Sequence, residues 1–408
     1  MPDFHAAAIA ANRFGFGARP GDLRIIAGDP RGWVKAQFGP RAPIPAAIAA
    51  LPPGEDDLLA FGRWLAARRL RRGNADAIER QAGRQGVSDE ELRELSTEED
   101  FIRTFRARGI AAIDARIEAA ITTDAPARER ALHFWSNHFT VSAAKPAAVA
   151  LPPSFEREAI RPYVGGAFAD MLVAATKHPG MLIYLDNWLS IGPNSPAARR
   201  AELRSALGRS VGLNENHARE ILELHTVGVG GGYTQADVQA LAAILSGWTY
   251  DRPRLADYVR DIRGERSGVD LFLFEARAHE PGPQRLMART YTSEGVAQGE
   301  RALADLARHS STARFIATKL ARHYIADDPP LAAVARVTQA FTRTDGDLRA
   351  TMEAVVDCDE AWAEPFMKFK RPEEYAISVL RAANIQNLPA GAGAAAVAAL
   401  GQRIYAAP

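Results

Sequence analysis

Cysteine is almost absent: Cys358 is the only one in 408 residues. A lone thiol excludes an intramolecular disulfide framework and a thiolate metal cluster. Charge of either sign is no more pronounced, since 50 Lys and Arg against 49 Asp and Glu leave a net +1. Without a global field, neither nucleic acid nor an anionic membrane is an expected partner. No stretch reaches the roughly 18 to 20 uninterrupted apolar residues of a membrane span. The N-terminal residues have neither a basic leader nor an apolar run of signal-peptide length, so a soluble, cytoplasmic protein is expected.

Alternating β-branched and aromatic runs, the mark of strands, are also scarce, whereas helix signals recur from end to end. The expected fold class is all-α: a large irregular multi-helix bundle with little or no β structure. One helical unit over 1–408 is expected, divisible into an N-terminal region 1–125, a motif-bearing core 126–387 and an Ala/Gly-rich tail 388–408 that frays. Early helices are expected over Asp56 to Arg72, Asp89 to Glu98 and Glu99 to Ile121, with Arg and Glu on their solvated faces. Asn214 can cap a helix that stops at Gly228. Thr234 with Asp237 resembles a capping box for the next helix. Residues 251–270 read as an excursion carrying Leu271 to Phe274, the best strand candidate, back to the core. Ser310 or Ser311 is expected to cap a helix from Thr312 to Ile325, and Asp347 to start another running through Cys358.

What is present in concentration is histidine beside Trp, Asn, Glu and Arg, in His133-Phe-Trp-Ser-Asn-His138 and in Asn214 to Thr226. Imidazole beside carboxylate is the usual apparatus for moving a proton or holding a metal near neutral pH. At about 100° per residue, His217, Ile221, Leu224 and His225 share one inward face, with Glu220 at its edge. His217 and Glu220, three residues apart, could grip one ion, whereas His225 lies roughly 12 Å further along the axis. His133 and His138 diverge by about 140°, so His133 couples better with Asn137, and His138 is free to reach across to Glu220. The expected catalytic residues are Glu220, His225 and Asp186. The expected metal ligands are His138, His217 and Glu220, suited to a divalent ion such as zinc or iron. Trp135, Asn137, Arg219, His279 and Arg314 are the expected substrate contacts.

Several motifs are missing. Neither Glu-x-x-His nor His-Glu-x-x-His spacing occurs, and the glycines from 228 to 232 follow a helix with no Gly-Lys-Ser/Thr, so they are not a phosphate loop. Ser136 and Ser190 lack a nucleophile elbow. Lys319, Arg322 and His323, with Arg314 a turn earlier, could receive a phosphate, sulfate or carboxylate. His279 to Gly282 forms a turn that could present His279 from a loop.

Asn12 to Gly17, His133 to Phe139, Asn214 to Thr226 with Gly232-Tyr233-Thr234, Gly247-Trp248-Thr249, His279 to Gly282 and His309 to His323 together resemble the bacterial family catalogued as domain of unknown function 1800. The resemblance covers nearly the whole chain, in order. It implies no established activity, and it implies an export signal for many members. Against the family pattern, His138, Glu220 and His225 match, Ser136 stands where His is frequent, and His217 stands where Tyr or Phe is frequent. Gln284 and Arg285 stand where Lys is usual. The expected function is acid-base or metal-dependent hydrolysis or lysis of a polar small molecule or saccharide. The alternatives are an iron- or haem-dependent oxidoreductase and a non-enzymatic helical scaffold or binding protein.

Overall fold

The computed structural model describes residues 2–39, 42–71, 90, 101–145, 148–204, 212–251, 271–363 and 368–406. The chain is mostly helical, and nine of its helices position the cavities and the core around them. They are α1 (Phe101–Thr122), α2 (Pro126–His138), α3 (Asn216–Glu220), α4 (Gln235–Leu245), α5 (Ser310–Tyr324), α6 (Leu331–Arg343), α7 (Leu348–Val356), α8 (Pro372–Ala382) and α9 (Ala392–Ala399). Local chemistry sets many of their ends. Pro126 opens α2, where its missing N–H costs nothing. Thr234 and Asp237 satisfy one another's backbone N–H groups in a capping box before α4. The Asp347 carboxylate accepts from the Ala350 N–H before α7 at 2.7 Å.

The helices expected over Asp56 to Arg72 and Glu99 to Ile121 are present as Gly54–Arg71 and Phe101–Thr122, with Arg72, Glu99 and Asp100 outside the described residues. The segment Asp89 to Glu98 lies outside the described residues apart from Glu90, as does nearly all of the 251–270 excursion. Before α5 the cap is neither serine: His309 Nδ1 accepts from the Ser311 N–H at 3.1 Å. α7 ends at Val356, two residues short of Cys358.

The little β structure present forms two small antiparallel sheets. β1 (Trp248–Thr249) pairs with β2 (Leu273–Phe274), within the stretch singled out for a strand, and β3 (Gln284–Leu286) pairs with β4 (Arg289–Tyr291). Met287 and Ala288, both at positive φ, form the tight turn between β3 and β4. No Asn-Gly or Asp-Gly announces it, which is why the sequence pattern misses the hairpin.

The largest buried cluster draws on residues from Ala7 to Ala361 and encloses Trp135, Phe139, Phe168 and Trp248 completely. Each such ring contributes about 1.5–3 kcal/mol by leaving water. α5 has one stripe in this core, Ala313, Ile316, Ala317, Leu320 and Tyr324, and packs along α6. Beside that stripe, at helical spacing, come Phe315, Lys319, Arg322 and His323. A smaller cluster of Phe16, Ile117, Ile121, Ile377 and Val397 joins α1, α8 and α9. The tail expected to fray is packed through Ala406: α9 packs on α1, and residues 401–406 continue onto the rim of a large cavity beside α2.

Candidate active site

α2 supplies the wall of this cavity, which measures about 600 Å³. His133, Ser136 and Asn137 recur at i, i+3 and i+4 along it, one helical face, and Thr140 follows just past its C-terminus. The opposite wall comes from Arg371 and Glu373 at the start of α8 and from tail residues Gln402 to Ala406. His133 and Asn137, singled out together by their spacing, both line this space, whereas His138 does not.

Behind the cavity face is a buried ionic network. Arg116 from α1 pairs with Glu156 through one arm of its guanidinium and donates from Nε to Glu373 Oε1 at 2.8 Å. Glu156 also accepts from Ser136 Oγ at 2.7 Å and from the Tyr405 hydroxyl at 3.1 Å. The Tyr405 ring lies under the Arg116 guanidinium, 5.4 Å from centroid to carbon. Arg116, Glu156 and Glu373 are all at most 5% exposed. Removing three ions from water costs several kcal/mol each before their attraction is counted, so stability alone is a poor reason for the network.

His133 completes the arrangement. Its Nδ1 lies 3.4 Å from Glu373 Oε1. Neither ring nitrogen makes a hydrogen bond to any described residue. Burial, with help from Arg116 and other nearby guanidiniums, pushes its pKa well below the usual histidine value, so the ring is neutral. Burial raises the Tyr405 hydroxyl above its ordinary value and keeps it protonated. A neutral imidazole with free nitrogens, a protonated phenol and a fixed guanidinium are the parts of an acid-base site.

A second recess, of about 270 Å³, meets the first at Asn137 and Arg371, which line both. Its other walls include Arg130, Lys319, Arg322, Lys368 and Glu374. Lys319 donates to His138 Nδ1 at 2.9 Å, and His138 Nε2 is 3.0 Å from the His225 carbonyl oxygen. Burial lowers the Lys319 pKa to about 8.

The residues expected to converge on one ion do not. His138 spends both ring nitrogens on Lys319 and on the His225 backbone. His217 is fully enclosed, with its pKa lowered by burial to about 3. Glu220 is half-buried beside Glu223 and Tyr184, not across from His138, and burial followed by Glu223 raises its pKa. Among the described residues no group of three His, Cys, Asp or Glu side chains is spaced to hold a metal ion.

The remaining expectations also separate. The His225 ring packs 5.0 Å from Phe139, and its pKa is lowered to about 3 by burial. Asp186 pairs with Lys145 at 2.7 Å in a left-handed turn. Trp135 is core. Arg219 pairs with Glu215, and His279 Nδ1 donates to the Ser246 carbonyl at 3.0 Å, anchoring a turn. Arg314 is exposed on the side of α5 away from the recess that Lys319, Arg322 and His323 line.

Leu224, expected inside, is 47% exposed. The cause is a single π turn, Ile221–His225, in which the extra residue per turn breaks the 100° projection. Arg116, Glu156, Glu373 and Tyr405 carry no motif or spacing that marks them in the sequence. Glu156 opens another π turn, Glu156–Ile160, again outside ordinary helical spacing.

The chain belongs to the family described as Protein of unknown function (DUF1800), whose model matches residues 9–408. No curated protein and no solved structure is detectably similar. No helix among the described residues is long and apolar enough to cross a membrane.

Proposed function

We propose that this DUF1800 member is an acid-base enzyme, a lyase or hydrolase acting on a polar substrate of saccharide type, and that its reaction takes place in the cavity between α2, α8 and the tail. The observation that carries this reading is His133: a neutral imidazole, 2% exposed, with no hydrogen bond to a described residue on either nitrogen, at the wall of a space large enough for a sugar unit. An idle buried imidazole costs stability unless something else uses its nitrogens.

In the proposed reaction His133 takes a proton from the substrate or from an attacking water, and Glu373 beside Nδ1 steadies the imidazolium that forms. Arg371, half-buried and lining both recesses, stabilises developing negative charge. Tyr405 delivers a proton to the departing oxygen and recovers it from His133 or solvent, so protons balance over the cycle. Glu156 and Arg116 hold the phenol in place.

Incubation with panels of neutral and uronate-containing oligosaccharides tests the reading. Elimination yields an unsaturated product with new ultraviolet absorbance, and hydrolysis yields reducing ends without it. His133→Gln should abolish either signal while leaving the circular dichroism spectrum unchanged. Turnover that survives this substitution would move the chemistry elsewhere. One observation favours a structural role instead: the same network ties the tail to α1 through Tyr405. On that alternative no panel member reacts, and Glu156→Gln frees the tail to proteolysis.

A further inference from the structure

The second recess has an excess of cation over anion that the protein leaves uncompensated. Arg130, Lys319, Arg322, Lys368 and Arg371 line it against one carboxylate, Glu374. That carboxylate is already claimed, by Arg371 at 2.9 Å and Arg130 at 3.3 Å. Burial opposes its charge, but Arg130 and Arg371 outweigh burial and hold its pKa at about 2. Lys368 pairs with Asp327.

Lys319 and Arg322 are left without a counter-ion. Among the described residues no carboxylate lies within 4.0 Å of either. Lys319 has three donors, and His138, a neutral ring, accepts from one of them. Arg322 gives Nε to the Asp327 carbonyl at 3.1 Å and is otherwise exposed. Asn137 is exposed at the junction of the two recesses, and its side chain makes no hydrogen bond to a described residue. Lys319, Arg322 and His323 also belong together on α5, one broad face beside its core stripe. A half-buried ammonium with unused donors, a guanidinium one turn along the same helix and a free amide at the mouth are donor geometry for an oxyanion.

We infer that this recess is a subsite for an oxyanion group, sulfate, phosphate or carboxylate, borne by the same molecule whose reacting part enters the larger cavity, so that the substrate is an acidic saccharide. This rests on the proposed reaction only for the link between the two recesses. The anion subsite itself stands on Lys319 and Arg322.

Isothermal titration with inorganic sulfate and inorganic phosphate, then with a sulfated disaccharide and its desulfated counterpart, tests both parts. Wild-type protein should bind the inorganic anions saturably. Lys319→Met and Arg322→Gln should each weaken them about tenfold or more, the loss of one charge-assisted hydrogen bond. Arg322→Gln changes an exposed side chain and keeps the test valid if Lys319→Met disturbs packing at His138. His133→Gln should bind the inorganic anions as wild type does, so loss of turnover in that variant speaks to the reaction and not to the subsite. Tighter binding of the sulfated disaccharide than of either sulfate or the desulfated sugar supports one substrate spanning both recesses. Equal binding of sulfate and the sulfated sugar overturns that link. No saturable anion binding, or binding untouched by both substitutions, overturns the subsite.

Discussion

The Lys319 ammonium donates to His138 Nδ1 at 2.9 Å, and this bond fixes the tautomer of a buried histidine. An ammonium has no lone pair to offer, so Nδ1 must accept. The proton then sits on Nε2, which donates to the His225 carbonyl at 3.0 Å. Burial, followed by the charge of Lys319, pushes the His138 pKa well below its usual value, in keeping with a neutral ring. One helix end, one π turn and the cationic recess are thus coupled through a single imidazole.

Acid should destabilise the fold earlier than its carboxylates alone would. His217 and His225 titrate near 6.5 when unfolded and at about 3 when folded, both through burial. A depressed folded value means the unfolded chain takes up the proton first, so the stability is present above pH 6.5 and is lost as pH falls through that window toward 3. Each imidazole contributes a slope of about 1.4 kcal/mol per pH unit there. Thermal melts between about pH 7 and 5 should fall steeply, and His217→Phe should flatten the curve. A melting temperature constant across that range would contradict the burial of these rings.

Anion binding should weaken on the alkaline side. Lys319 keeps its charge below about pH 8 and loses it above. Affinity for sulfate should therefore hold from about pH 6.5 to 7.5 and decline between about 8 and 9.5, with the decline absent in Lys319→Arg, whose guanidinium stays charged. Titration calorimetry across that range checks the midpoint.

Arg116→Met should be among the most damaging single changes. It strands Glu156 and Glu373, both buried, without their common cation. Breaking a buried pair from one side costs about 3–5 kcal/mol. Tyr405→Phe, which removes one hydrogen bond to the Glu156 carboxylate but leaves its cation in place, should cost less, about 1.5–3 kcal/mol in urea unfolding, yet lower turnover sharply if the phenol is the acid. Equal damage from both substitutions would assign Tyr405 to packing.

Gly247, in the Gly-Trp-Thr motif, has a structural duty. Its φ is +78°, and a Cβ there would meet the Glu275 carbonyl oxygen at 2.6 Å. Gly247→Ala should cost about 1–3 kcal/mol in backbone strain, with the overlap in addition. The substitution should loosen the β1–β2 pair without altering anion binding, which unfolding curves and calorimetry separate.

The amino-acid order alone determined whatever depends on near neighbours. The Thr234–Asp237 box, the start of α7 at Asp347 and the cationic face of α5 arise from contacts three or four residues apart, whose geometry a helix fixes. That His133 and Asn137 share one side of α2 was legible for the same reason, as was family membership over 9–408. Only the tertiary structure decided the site. Arg116 meets Glu373 across 257 positions and Tyr405 meets Glu156 across 249, distances at which no spacing rule operates. The π turns at 156–160 and 221–225 break the helical period locally, so projecting one residue onto the next assigns Leu224 to the wrong surroundings. Which charges share a buried environment depends on how whole helices pack, and packing is a property of the assembled core rather than of any segment in it.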